Sequence, residues 1–138
     1  MDAIVKLKDD HKKVEKLFKS LAKDDLSVVP AICDALTLHA AVEESVFYPA
    51  VNEETQDEED DIAEAFEEHH LVKILIAELQ DLDPSELAYK AKATVLMELV
   101  RHHVEEEESD MFPEVRKQLG RTRLREIGDQ MEAFEKRG

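Results

Sequence analysis

His39-Ala40-Ala41-Val42-Glu43-Glu44-Ser45-Val46-Phe47-Tyr48-Pro49 decides how this chain is read. In an α-helix, residues four apart stack on one face, so His39 and Glu43 hold an imidazole and a carboxylate toward the same point. That is a ligand pair. The pattern returns as His103-Val104-Glu105-Glu106-Glu107-Glu108-Ser109-Asp110-Met111-Phe112-Pro113, with His, Glu, Glu, Ser, an aromatic and Pro at matching offsets. Two such copies predict two helices that each turn a polar pair inward.

The flanking sequence supplies the rest of the bundle. Ile4, Leu7, His11, Val14, Phe18 and Leu21 alternate steps of three and four, which is a seam facing partner helices. The same alternation runs through Ile32, Leu36, His39, Glu43, Val46 and Ala50, and through Ile62, Ala65, His69, Val72, Ile76 and Leu79. A fourth helix presents Leu96, Val100, His103 and Glu107. Each helix therefore places a histidine where its neighbours have aliphatics, and two add a glutamate. Burying such groups unpaired costs several kcal/mol, and a cation offsets that cost by neutralising the carboxylate and taking the imidazole lone pair. His69 is in register with its seam, whereas His70, turned by about 100°, falls at the edge. Glu105, Glu106 and His102 read as solvated.

Helix ends are set by local chemistry. Ser27, followed by Pro30, predicts the N-cap of the second helix, and Asp83-Pro84-Ser85-Glu86 predicts a capped start of the fourth. The acidic run Glu53 to Asp61 lacks the glycine of a calcium loop and reads as a solvated connection. Gly120 ends the fourth helix, and Thr122 to Lys136 forms a shorter one lying across the bundle. The expected division is a bundle over 1–119 and a packing helix over 120–138. His11, His39 and His69 come out level, but His103 lies farther from the Asp83 turn than His69 does, by about 9 Å at 1.5 Å per residue.

Composition narrows the class. With 138 residues, 43% hydrophobic content, 3 Gly and 4 Pro, the chain suits one all-α domain, an up-down four-helix bundle. A net charge of −16 argues against nucleic acid and against anionic lipid. No apolar run is expected to span a bilayer and no signal peptide is seen, so the expected compartment is the cytoplasm. The single cysteine, Cys33, reads as a small core residue.

With His11, His39, Glu43, His69, His103 and Glu107 at one level, the chain resembles the hemerythrin-like (HHE cation-binding) family over about residues 2 to 115. The resemblance implies an up-down bundle holding two non-heme iron ions, oxo- or hydroxo-bridged, with these six residues as ligands and both glutamates spanning the metals. Oxygen-carrying hemerythrins have a further histidine four residues along the third helix, where this chain has Lys73. One imidazole is missing, so water, or in principle the phenol of Tyr48, takes its place. Core packing accounts for an aromatic at Tyr48 equally well, since Phe112 holds the matching position.

An open iron position shifts the expectation from simple oxygen carriage toward chemistry on O2, H2O2 or NO, including catalase- or peroxidase-like activity. An iron-sensing or iron-buffering module without turnover uses the same ligands. Nothing in the residues separates the two.

Overall fold

In a computed structural model that describes residues 1–137, the chain is helices joined by short connections, with no strand among the described residues. Helix α1 runs Ala3–Ala22; the Asp2 carboxylate caps it, accepting from the backbone N–H of Ile4 and Val5. Helix α2 covers residues 29–54 and is built from α-helix Val29–Val42, a π-helical turn Glu43–Phe47 and α-helix Tyr48–Glu54. Helix α3 is Glu59–Gln80. Helix α4 starts with Leu87–Glu106, passes through a second π-helical turn, Glu107–Met111, and continues from Phe112 to a break at Gly120. Gly120 has φ 78°, a left-handed conformation that stops the helix without a Cβ penalty. Residues 121–137 form α5.

The packed interior is two apolar clusters rather than one. The first joins Ile4, Leu7, Phe47, Tyr48, Phe112 and Val115 to Leu124, Ile127 and Met131 of α5, so α5 closes one end of the bundle. The second joins Val14, Phe18, Leu36, Val72, Leu96 and Val100 at the other end. Between them lies a layer of buried polar side chains: His11, Glu43, His69, His103 and Glu107, with His39 at its edge.

Several local expectations are corrected. Ser27 is not the cap of α2: the Asp25 carboxylate accepts from the Ser27 N–H and hydroxyl, and a 3-10 turn Leu26–Val28 precedes the helix. Asp83 likewise caps no helix. Its carboxylate accepts from the N–H and hydroxyl of Ser85, which closes a turn, and α4 begins only at Leu87. That late start reconciles the heights: the connection 81–86 takes up what remains of the offset, and the His69 and His103 rings meet at 4.9 Å. By length and average composition alone the segment Leu26–Glu54 passes for a membrane span, as the core helix of a bundle can. In the bundle it carries two of the inward polar groups, His39 and Glu43.

The acidic connection is also not wholly solvated. Glu58 is buried, and one of its carboxylate oxygens has no hydrogen-bond partner. Burial, followed by the nearby charges of Asp61, Glu114 and Asp57, pushes its pKa up to about 7. The folded chain thus holds a proton that the unfolded chain releases near the ordinary value, so stability falls as pH rises from about 4.5 toward 7 and stays low above it. Glu58→Gln is expected to raise the melting temperature at pH 8 and leave it nearly unchanged at pH 4.5, as read by thermal denaturation across that range.

Helix α5 crosses the start of α1 closely enough that a Cβ on Gly128 would lie 1.7 Å from the Met1 carbonyl oxygen and 2.9 Å from the Ala3 nitrogen. Gly128→Ala should therefore cost about 1–3 kcal/mol through forced backbone displacement. Chemical denaturation measures it, and an unchanged midpoint would contradict this packing.

Candidate metal centre

The six residues singled out in the sequence arrive in one place. His11 comes from α1, His39 and Glu43 from α2, His69 from α3, and His103 and Glu107 from α4. Ligand atoms of His11, His39 and Glu107 lie within 4.8 Å of one another, and those of Glu43, His69 and His103 do the same. Each triad thus offers two imidazoles and one carboxylate. The carboxylates reach across both triads. Glu43 Oε1 is 3.2 Å from His39 Nε2 and 3.1 Å from His69 Nε2, while Glu107 lies 3.3 Å from His11 Nε2 and 3.5 Å from His103 Nε2.

The two π-helical turns explain how each glutamate and the aromatics after it can all face inward. Pro49 has no N–H to donate, and its ring would clash with the carbonyl of Ser45 in a regular helix; Pro113 stands in the same relation to Ser109. The backbone answers by widening one turn, so the Tyr48 N–H bonds to the Glu43 carbonyl and the Phe112 N–H to the Glu107 carbonyl, five residues back. The extra residue shifts the seam: Phe47 and Val51 take fully buried places, and the expected seam residue Val46 moves to the edge.

Behind the imidazoles lies a second set of carboxylates that sequence reasoning missed. Asp10 on α1 sits 3.3 Å from His39 Nδ1, and Glu44 on α2 sits 2.8 Å from His69 Nδ1. Glu68 on α3 sits 2.7 Å from His103 Nδ1, and Glu108 on α4 sits 2.6 Å from His11 Nδ1. The order α1 to α2 to α3 to α4 and back to α1 closes a ring. Each carboxylate accepts the Nδ1 proton of the next helix's histidine, which fixes the tautomer and aims Nε2 into the centre. The signal lay in plain view: each of these carboxylates is the sequence neighbour of a buried ligand candidate. Glu105, by contrast, is exposed.

Charge follows this arrangement. Burial opposes the charged form of His39, but Glu43 and Asp10 outweigh it and push its pKa up to about 10. Burial likewise opposes a charged His103, and Glu107, Glu43 and Glu68 overcome it, raising its pKa well above the ordinary value. The Tyr48 phenol is pushed up strongly by burial and then by the negative charges of Glu43 and Glu107. It therefore keeps its proton and donates it to Glu107 Oε2 at 2.6 Å, with His103 Nε2 at 3.2 Å. Tyr48 is thus part of the polar layer as well as of the packing. Lys73, at the position of the absent fifth histidine, turns outward and pairs with Glu44 at 2.8 Å.

These residues fit a pair of cations. Nε2 of His11 and His39, both oxygens of Glu43 and Oε1 of Glu107 are buried without a hydrogen-bond partner, a costly arrangement that coordination would satisfy. Four imidazoles with shared carboxylates suit first-row transition metals. His70 and His102 are exposed and lie outside both triads.

Residues 2–115 match the family described as hemerythrin HHE cation binding domain. Over 115 residues the chain is 32% identical to a DNA nickase from Nostoc sp. strain PCC 7120, covering 80% of this chain and 32% of the nickase, so it spans about a third of that relative's length. The crystal structure of a hemerythrin HHE cation-binding domain-containing protein from Mycobacterium kansasii superposes with a TM-score of 0.81 at 24% identity, covering 99% of this chain and 86% of that one. At that identity the likeness speaks for the fold.

Removing one member of the carboxylate ring should loosen metal without unfolding the bundle. Glu68→Ala is expected to weaken ferrous-iron binding about 10- to 100-fold, whereas Glu105→Ala should leave it unchanged. Competition against a chromophoric chelator reads the difference, with circular dichroism as the check on folding.

Proposed function

This chain belongs to the hemerythrin HHE cation-binding family, and on that premise we propose that it is a non-heme di-iron protein that binds or reacts with a small oxidant, O2, H2O2 or NO. The observation that carries the reading is the pair of His, His, carboxylate triads, placed at one level and sharing Glu43 and Glu107. His11, His39 and Glu107 would hold one iron; His69, His103 and Glu43 would hold the other. When bound, such a metal pair supplies redox capacity and open positions for small ligands. With Lys73 turned away, each iron has only two imidazoles, which favours reaction over reversible carriage.

The chain's own residues do the rest. The carboxylate ring keeps each Nε2 free of protons and pointed inward once cations enter, so loading releases the protons that His39 and His103 otherwise hold. The Tyr48 hydroxyl holds a proton on Glu107, from the sealed side of the layer. Phe47, Phe112 and α5 exclude water from one side. Buried, free Cys33 is consistent with a cytoplasmic setting, and the charge of −16 supports neither duplex nor lipid docking.

A second reading, an iron-sensing or iron-buffering module, draws support from the same partnerless buried atoms, because they tie stability to loading. Turnover separates the two. Protein purified without chelator is expected to hold two irons per chain, absorb in the near ultraviolet, and lose both properties in His39→Ala and Glu107→Ala. Catalytic loss of H2O2 or O2 supports the redox reading. Metal-dependent stability with no turnover supports the sensor, and a protein that retains only trace iron after anaerobic reconstitution overturns both.

A further inference from the structure

On the side of the polar layer away from Tyr48, a chamber of about 410 Å³ lies between the helices. Its inner end is formed by His11, His39, His69 and His103, and its walls by Val14, Phe18, Leu36, Val72, Val100 and Val104. Its exposed lining residues, Lys12, Arg101, Glu105 and Ser109, all belong to α1 and α4, so the mouth opens between those two helices.

The chamber is far larger than a diatomic or H2O2 requires, since a water-sized molecule occupies roughly 30 Å³ and an aliphatic cavity of roughly 150 Å³ already takes up benzene. Its walls offer water almost no partners. A ligand that fills it must be mostly hydrocarbon. Charge fixes the head group. Asp10, Glu15, Glu105 and Glu108 border the chamber, and Arg101 is held by Glu15 in a bidentate pair at 2.8 and 3.0 Å across the mouth. An anionic head would meet more carboxylate than free cation. A cationic head would face the metal-bearing end, so the group that fits is neutral.

We propose that this chamber binds an organic hydroperoxide, its apolar body among Val14, Phe18, Leu36, Val72 and Val100 and its peroxide end against the four imidazoles. The proposal deepens the di-iron reading and rests on it for the chemistry. Reduction would break the O–O bond, take up two electrons and two protons, and yield one alcohol and one water; a reduced iron pair held by the six residues would supply the two electrons for one hydroperoxide per loaded chain.

The test uses the full chain with cumene hydroperoxide and its alcohol, 2-phenyl-2-propanol, which cannot react. Isothermal titration should show one alcohol site per chain, and Val100→Trp, which fills the chamber, should weaken it at least about tenfold. The ratio of cumene hydroperoxide to H2O2 consumption should fall by a similar factor. Should Val100→Trp fail to fold, Val104→Trp, at the half-buried edge, takes its place. Alcohol binding that neither substitution changes, or equal loss on both peroxides, overturns the proposal. Alcohol binding that responds to the substitutions, with neither peroxide consumed, keeps the pocket and removes the redox reading of the centre instead.

Discussion

Everything in this fold is arranged around the burial of imidazoles and carboxylates between two apolar clusters. A bundle of this size could join those clusters into one continuous core, and a row of aliphatics at His11, His39, His69 and His103 would do so. The chain instead inserts a polar layer in which His11 Nε2, His39 Nε2, both Glu43 oxygens and Glu107 Oε1 lack hydrogen-bond partners. Without cations the layer is held by ion pairs, the carboxylate ring and the Tyr48 hydrogen bond, with the carboxylates around His39 and His103 favouring their charged forms. That is an expensive interior for a neutral bundle and a suitable one for cations, because coordination replaces each missing partner at once.

The carboxylate ring turns this local chemistry into an interhelical device. Each histidine is anchored from behind by a carboxylate of the helix before it in the ring, so no helix can slide or rotate without misaiming an imidazole on the helix that follows. Packing alone specifies the register of a bundle loosely, since many hydrophobic repackings are tolerated. Directional bonds of 2.6 to 3.3 Å specify it closely. The same ring explains why charge adjoins the ligands in sequence: one turn of helix must present an inward donor and, one residue away, an acceptor aimed sideways.

The bundle and the identity of its inward groups were legible because both depend on periodicity, and periodicity survives in sequence. His11, Phe18, His69 and Val72 fall where a seam of threes and fours puts them. What escaped was whatever breaks the period or crosses between helices. The π-helical turns shift the seam by one residue, and their cause, a proline four residues after a serine, looks from sequence like a helix end. Asp25 and Asp83 escaped because several short polar residues in a row can each close a turn, and only three-dimensional geometry selects one. The ring partners escaped because Glu44, Glu68 and Glu108 sit one residue off the inward face, where solvated charge is the ordinary reading.

Lys73 shows how these layers set the donors of the centre. A histidine at that position would add an imidazole to the triad of His69, His103 and Glu43 and leave the other triad with two. The lysine does the opposite: by pairing with Glu44, which in turn anchors His69, it joins the supporting ring instead of the centre. The two triads then match in donor type, as the repeated motif would have them. Their surroundings do not match. Tyr48 hydrogen-bonds Glu107 and lies against His69, whereas Phe112, its counterpart, stacks flat on His11 and offers no hydroxyl. The asymmetry of this centre therefore comes from one phenol on its sealed side, while the face opposite, toward Val100 and Phe18, is left apolar and open.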